Sequence, residues 1–103
     1  MNILLVEDEP TLRAGTEQFL VQRGFTVIVA ASGEEALEQF TKADAIILDI
    51  MLPGMSGIEV LHRIRQASDV PVLMLTALHD EPTQIASFDE LADDYMSKPF
   101  SLV

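Results

Sequence analysis

Residues 45–57 read AIILDIMLPGMSG, in which an apolar run ends in one aspartate and a loop containing proline and glycine follows. The continuous apolar residues Ala45–Leu48 predict a strand buried on both faces, with Asp49 at its end. Beyond the loop, Ser56 and Glu59 have the spacing of a capping box. This segment therefore predicts a buried strand, a loop that begins with an acidic residue, and a helix.

The same unit, a short apolar run followed by an amphipathic segment, recurs on both sides of residues 45–57. Such alternation is typical of an α/β fold with a parallel sheet. The other strands are predicted at Ile3–Val6, Thr26–Val29, Val70–Leu75 and Asp94–Ser97. The helices are predicted to begin at Pro10, Ser32, Ser56 and Pro82.

Helical spacing of the apolar residues identifies the faces expected to pack inward. Those residues are Leu12, Phe19 and Leu20 in the first helix, Ala36, Leu37 and Phe40 in the second, Leu61 and Ile64 in the third, and Ile85 and Phe88 in the fourth. Gly24 is placed where a left-handed residue commonly ends a helix.

The composition bounds the class of protein. A length of 103 residues fits one domain, residues 1–103, and a hydrophobic content of 49% is enough to bury a core. The net charge of −11 argues against binding nucleic acid or an anionic membrane through the domain's own field. The absence of cysteine excludes disulfide and thiolate chemistry. With neither a signal peptide nor a membrane-length apolar run, we expect a cytoplasmic location.

The residues that follow the predicted strands carry the chemistry. Parallel strands joined by right-handed crossovers end at one edge of the sheet, where ligands bind in open α/β folds. Glu7 and Asp8 follow the first strand and Asp49 the third, whereas Thr76 and Lys98 follow the fourth and fifth. The second strand ends in two alanines. The strand order 2-1-3-4-5 of the flavodoxin-like class would explain this pattern, because it places the second strand at the rim.

Three neighbouring carboxylates need a positive charge to stabilise them, and oxygen ligands suit Mg²⁺ or Mn²⁺. Asp49 stands alone at the end of a central strand and is the best candidate for a nucleophile that attacks phosphorus. Glu7 and Asp8 are adjacent and suited to holding the cation together. The Lys98 ammonium and the Thr76 hydroxyl would then stabilise oxygens of the transferred phosphoryl group.

Together, these residues resemble the receiver domain of bacterial two-component response regulators. The matching features are Glu7-Asp8, Asp49 within AIILDIMLPGMSGIEVL, Thr76-Ala77, and DDYMSKPF with Lys98-Pro99. The resemblance implies a flavodoxin-like, doubly wound, five-stranded parallel sheet. It also implies phosphorylation of Asp49 by a sensor histidine kinase, with Mg²⁺ held by Glu7, Asp8, Asp49 and the backbone carbonyl of Met51.

The resemblance further implies a signalling switch rather than a turnover enzyme. Lys98 would contact the phosphoryl group, Thr76 would move toward it, and Tyr95 would turn inward with Thr76. The face formed by the fourth helix, fifth strand and fifth helix would rearrange and control an output, expected to be transcription. The loop after Asp49 and the DDYMSKPF segment look most like the subfamily with winged-helix DNA-binding domains. Homodimer formation is implied, whereas DNA would be contacted only through a separate effector domain, and no membrane is involved.

Two features depart from the family pattern. The chain ends at Val103, where family members continue for about another helix, so the fifth helix is expected to be lacking. An apolar patch should then be exposed on the first-helix side of the sheet, or be covered by a neighbouring chain. Leu91 stands where the family usually has glycine, which makes the end of the fourth helix the least defined element of the prediction.

Two other functions remain open on sequence grounds. A receiver-like interaction module that is never phosphorylated would keep the fold without the chemistry. A hydrolase with an aspartyl-phosphate intermediate would carry a second acid two residues after the nucleophile, where this chain has Met51. Simpler interpretations also exist for individual residues: Glu7 and Asp8 as a solvated turn before a helix, and Tyr95 as packing.

Overall fold

The computed structural model describes residues 1–50, 52–77 and 94–98, with side chains described for residues 1–50 and 52–75. Its elements are β1 (Asn2–Val6), α1 (Pro10–Gln22), β2 (Thr26–Ala30), α2 (Gly33–Gln39), a 3₁₀ turn (Phe40–Lys42), β3 (Ala45–Asp49), α3 (Gly57–Arg65), β4 (Val72–Ala77) and β5 (Asp94–Lys98). The strands pair in parallel in the order β2-β1-β3-β4-β5. The predicted doubly wound α/β fold and its strand order are therefore confirmed.

Helix α1 begins and ends where the sequence predicts. Pro10 occupies its first turn, and the Glu9 carboxylate caps it by accepting hydrogen bonds from the amides of Thr11 at 3.1 Å and Leu12 at 2.6 Å. Gly24 follows the helix with φ of +94°, a left-handed conformation that L-residues with a Cβ rarely adopt. The proline and the glycine thus set the two ends of α1.

Serines cap α2 and α3. Ser32 Oγ accepts a hydrogen bond from the Glu35 amide at 3.2 Å, and Ser56 Oγ accepts one from the Glu59 amide at 3.3 Å. The Glu35 carboxylate accepts from the Ala31 amide at 2.6 Å, one residue before the cap. Each serine satisfies an amide that the first helical turn leaves without a partner, so both predicted helix starts are confirmed.

The main core lies between the sheet and the pair α2 and α3. Its buried members come from β1, β2, β3, β4, both helices and the loop after β3: Leu4, Val6, Ala30, Ala36, Ile46, Leu48, Ile50, Leu52, Val60, Leu61, Ile64, Val72 and Met74. Leu37 and Phe40 pack against this cluster but are only partly buried. Burial of these aliphatic side chains is the main force holding α2 and α3 on this face.

Helix α1 lies on the opposite face of the sheet, where it contacts β1 and β2. Leu20 is buried, whereas Leu12 and Phe19 are half-buried. Thr16 is 2% exposed, a burial that the apolar pattern did not predict. A threonine can be buried in a helix when its hydroxyl bonds to a carbonyl of the preceding turn. Because the search for inward faces counted only apolar residues, it left out Thr16.

The fourth strand begins later than predicted. The sequence placed it at Val70–Leu75, whereas β4 spans Val72–Ala77. The backbone groups of Val70 form hydrogen bonds outside the sheet. Its amide donates to Ser68 Oγ at 3.1 Å, and its carbonyl accepts from Arg65 Nη1 at 2.5 Å. Pro71 has no amide hydrogen to donate to a neighbouring strand. These local bonds occupy Val70, whereas the Pro71 carbonyl already accepts a hydrogen bond from the Ile46 amide of β3 at 2.9 Å. Pairing with β3 therefore begins at the Pro71 carbonyl, directly before β4.

An apolar groove crosses one end of β1, β3 and β4. Its lining residues are Ile3, Ala45, Ile46, Ile47, Pro71, Val72 and Leu73. Because side chains alternate along a strand, Ala45, Ile47 and Leu73 face the α1 side. All three are half-buried, and within the described residues no helix lies over them. The apolar side chains on this side are thus half-buried rather than fully exposed, and the patch expected from a lacking fifth helix stays a prediction.

Some predictions lie outside the described residues. They are the fourth helix with Ile85 and Phe88, the effect of Leu91, and whatever follows Lys98, including the expected lack of a fifth helix. None of the described helices is long and apolar enough to cross a membrane.

Candidate functional site

The register of the central strands brings the acidic residues together. Val6 of β1 pairs with Leu48 of β3, so Glu7 and Asp49 follow at matching positions of neighbouring strands. One carboxylate oxygen from each of Glu7, Asp8 and Asp49 lies within 4.8 Å of the others. Neighbouring strands are ~4.8 Å apart, so adjacent strands are needed to bring these carboxylates together. The structure thus joins three of the predicted site residues at one edge of the sheet.

Burial makes this cluster costly without a cation. Glu7 and Asp49 are each 1% exposed, whereas Asp8 reaches solvent. Negative charges this close repel one another, and burial removes the water that would otherwise stabilise them. Three oxygen donors, open to solvent on one side, match the preference of Mg²⁺ for a few carboxylates together with water or phosphate oxygens. The residues present therefore fit a hard divalent cation.

Several hydrogen bonds fix the loop between β1 and α1. The Glu7 amide donates to the Ala30 carbonyl of β2 at 3.0 Å, and Glu7 Oε2 accepts from the Glu9 amide at 3.1 Å. Arg13 Nη1 donates to the Glu7 carbonyl at 3.0 Å and lies 3.4 Å from the Asp8 carbonyl. Glu9 also caps α1, so the helix start and the acidic pair form one bonded unit.

The backbone at Asp49 is fixed from two sides. The Ile50 amide donates to the Leu75 carbonyl of β4 at 3.0 Å, and the Gly57 amide donates to the Ile50 carbonyl at 2.9 Å. Gly57 packs directly on this backbone, because a Cβ there would overlap the Asp49 carbonyl and lie 2.7 Å from Ile50 Cα. The first residue of α3 therefore supports the strand end that carries Asp49.

The sequence analysis did not identify this contact of Gly57. Its φ is not positive, so the requirement for glycine there comes from close packing rather than from conformational freedom. The one available signal was a glycine directly after the capping Ser56, a position where a helix has no conformational need for it.

The remaining predicted residues are described only in part. Thr76 pairs with Ser97 and Ala77 with Lys98, so β4 and β5 end at the same edge as β1 and β3. The side chains of Thr76, Tyr95 and Lys98, and Met51 as a whole, lie outside the described residues. Their roles therefore stay predictions.

A model of the response regulator receiver domain family matches residues 3–103. This chain belongs to that family. The receiver domain is similar to the response regulator RR06 of Streptococcus pneumoniae, with 49% identity over all of this chain and 48% of the relative. It is 44% identical to the uncharacterized transcriptional regulatory protein YclJ of Bacillus subtilis, over 98% of this chain and 45% of the relative.

Solved structures agree with this assignment. A putative response regulator from Chloroflexus aurantiacus is 42% identical, with a TM-score of 0.88 over 98% of this receiver domain and 87% of that chain. The Vibrio cholerae chemotaxis protein CheY4 is 32% identical, with a TM-score of 0.88 over 98% and 88% of the two chains. The predicted identity as a response regulator receiver domain is confirmed. The chain spans about half the length of the curated relatives it matches.

Proposed function

We propose that this receiver domain is a phosphorylation-dependent switch that accepts a phosphoryl group on Asp49. Mg²⁺ or Mn²⁺ would be held by Glu7, Asp8, Asp49 and the backbone carbonyl of Met51. The observation that carries the proposal is the convergence of the three carboxylates within 4.8 Å at the ends of β1 and β3. Membership of the receiver family supports it.

The surroundings of Asp49 support its proposed role as the nucleophile. The next residue, Ile50, is hydrogen-bonded to Leu75 of β4 and to Gly57, and Asp49 ends a strand with a neighbour on each side. A carboxylate oxygen of Asp49 forms a bond to phosphorus as the phosphorus–nitrogen bond of a donor phosphohistidine breaks. The product is an acyl phosphate, and the leaving imidazole takes up a proton.

The partner residues stabilise the charge of the transferred group. A bound divalent cation supplies positive charge to the phosphoryl oxygens. Glu7 and Asp8 would hold that cation beside Asp49, and the partial exposure of Asp8 leaves one side of the cluster open to an incoming group. The ammonium of Lys98, at the end of β5, pairs with another phosphoryl oxygen.

The signal leaves the site through Thr76 and Tyr95. The Thr76 hydroxyl donates to a phosphoryl oxygen, and Tyr95 turns inward as Thr76 moves. Thr76 lies in β4 and Tyr95 in the neighbouring strand β5, where Tyr95 pairs with Met74, two residues before Thr76. The domain thereby changes shape once per phosphorylation and is a switch rather than a turnover enzyme.

The phosphoryl donor in this proposal is a sensor histidine kinase, and the site of action is the cytoplasm. Several relatives are named as transcriptional regulators and are about twice as long as this chain. DNA would therefore be contacted through a separate effector domain of winged-helix type, with homodimer formation as the coupling step. The net charge of −11 supports this division, because the receiver itself would repel a phosphate backbone.

The test is chemical phosphorylation. The chain is incubated with acetyl phosphate and Mg²⁺, and intact mass is measured with and without EDTA. We expect a mass gain of one phosphoryl group that depends on Mg²⁺. Asp49→Asn should abolish the gain, whereas Asp69→Asn, an equal change of charge at an exposed loop position, should leave it intact.

A gain that survives Asp49→Asn would exclude Asp49 as the acceptor. No gain in the wild-type chain would favour the other reading of the sequence, a receiver-like module that binds partners without being phosphorylated. Mg²⁺ titration of the same samples then shows whether the acidic cluster still binds a cation.

A further inference from the structure

Arg13 lies in the first half of α1 and directs its guanidinium at the loop that carries the acidic pair. Its Nη1 donates to the Glu7 carbonyl at 3.0 Å and approaches the Asp8 carbonyl at 3.4 Å. Both contacts are to the backbone, and within the described residues Arg13 forms no ion pair with a carboxylate. The positively charged Arg13 side chain is therefore bonded to two neutral carbonyl groups, although the chain is rich in carboxylates.

These contacts complete the restraint on the loop. The Glu7 amide is bonded to β2, and the Glu7 carboxylate accepts from the Glu9 amide. Arg13 holds the carbonyl oxygens of the same segment, and it is half-buried, which restricts the motion of its long side chain. A planar guanidinium is suited to this task because its donors are fixed relative to one another.

We propose that Arg13 is a positioning residue that sets the Glu7 and Asp8 carboxylates for the divalent cation, an inference that rests on the function proposed above. Two effects of Arg13 oppose each other. Its positive charge repels a cation in the cluster, so removing that charge alone would tighten binding. Its hydrogen bonds to the backbone orient the Glu7 and Asp8 carboxylates, so removing these bonds weakens binding of the cation. The proposal states that orientation outweighs repulsion.

The direction of the change in affinity decides between the two effects. Mg²⁺ binding to the full chain is measured by titration calorimetry for the wild type, Arg13→Met, Arg13→Lys and Arg63→Met. Methionine keeps much of the length but has neither charge nor donor, whereas lysine keeps the charge and loses the planar fork. Arg63 is exposed in the last turn of α3, so Arg63→Met is a control for net charge.

We expect Arg13→Met to weaken Mg²⁺ binding about tenfold, the low end of the effect of groups that orient metal ligands. Arg13→Lys should show a smaller loss, and Arg63→Met should bind as the wild type does or slightly more tightly. An Arg13→Met chain that binds Mg²⁺ as tightly as the wild type, or more tightly, would overturn the proposal.

A second readout needs no metal. Hydrogen exchange of the Glu9 amide reports the bond to Glu7 Oε2, and it should be faster in both Arg13 variants while urea unfolding shows unchanged global stability. If Arg13→Met does not fold, Arg13→Lys decides, and unchanged affinity and exchange in that variant would refute the proposal. Failure of both the wild type and Arg63→Met to bind Mg²⁺ would instead refute the proposed function of the site.

Discussion

Gly57 shows how a residue without a side chain can position a functional one. The helix α3 starts in direct contact with the backbone of Asp49 and Ile50, and its first amide bonds to the Ile50 carbonyl. Backbone packed on backbone has no rotamer with which to adapt, so the contact is stiffer than one between side chains. The position of Asp49 is therefore coupled to the start of α3.

Gly57→Ala is expected to destabilise the domain by about 1–3 kcal/mol or more, because the added methyl group overlaps the strand end. Chemical phosphorylation should also slow, since Asp49 is displaced. Urea unfolding and the initial rate of labelling with acetyl phosphate measure the two effects.

Gly24→Ala is the matched control. It strains a left-handed backbone in open space at the far end of α1, so it should cost about 1–2 kcal/mol and leave the labelling rate unchanged. Equal rates for Gly57→Ala and the wild type would show that the contact supports stability alone.

Much of the site was predictable residue by residue, for a physical reason. Glu7, Asp8 and Asp49 follow apolar runs that read as strands, and parallel strands must end together. The contact partner of Gly57 and the burial of Thr16 were not predicted, because the chemistry of a glycine or a threonine does not show what packs against it; the position of Gly57 after Ser56 was the one signal.

At the level of the elements, helix starts were read correctly because capping is local. Ser32 and Ser56 each accept the amide three residues ahead, a bond that depends on four consecutive residues only. The start of β4 was misplaced because it depends on Arg65, which lies on the other side of a loop. Its guanidinium donates a hydrogen bond to the Val70 carbonyl. Strand boundaries set by such contacts cannot be read from apolar runs.

The cap of α2 supports a testable change. Ser32→Ala removes the acceptor for the Glu35 amide, so it should lower the free energy of unfolding by about 1 kcal/mol, as measured in urea. The helix has only seven residues and cannot offset the loss through length.

Ser32→Asp restores an acceptor at the same position and adds a charge that the helix dipole favours, so it should recover most of the stability. If Ser32→Ala unfolded at the same urea concentration as the wild type, the cap would contribute nothing measurable.

For the whole molecule, the proposed cation site would link stability to the concentration of divalent cations. A cation that binds only the folded chain stabilises it by about 1.4 kcal/mol when its free concentration is ten times its Kd. We therefore expect Mg²⁺ to raise Tm by several degrees over KCl of equal ionic strength, with EDTA reversing the rise.

Asp8→Asn removes one negative ligand from the cluster and should reduce this rise in Tm. Calorimetric or circular-dichroism melts of both chains provide the comparison. An undiminished rise in Asp8→Asn would show that the stabilising ions bind elsewhere.

The pairing of Val6 with Leu48 has a consequence for how the sheet assembles. Side chains alternate between faces, so sliding β3 by one residue along β1 would turn Asp49 from the α1 side into the aliphatic interior beneath α2 and α3. A carboxylate has no counter-charge there and strongly disfavours that arrangement. The carboxylate of Asp49 therefore disfavours a one-residue shift of β3 along β1 and helps to select the observed strand register.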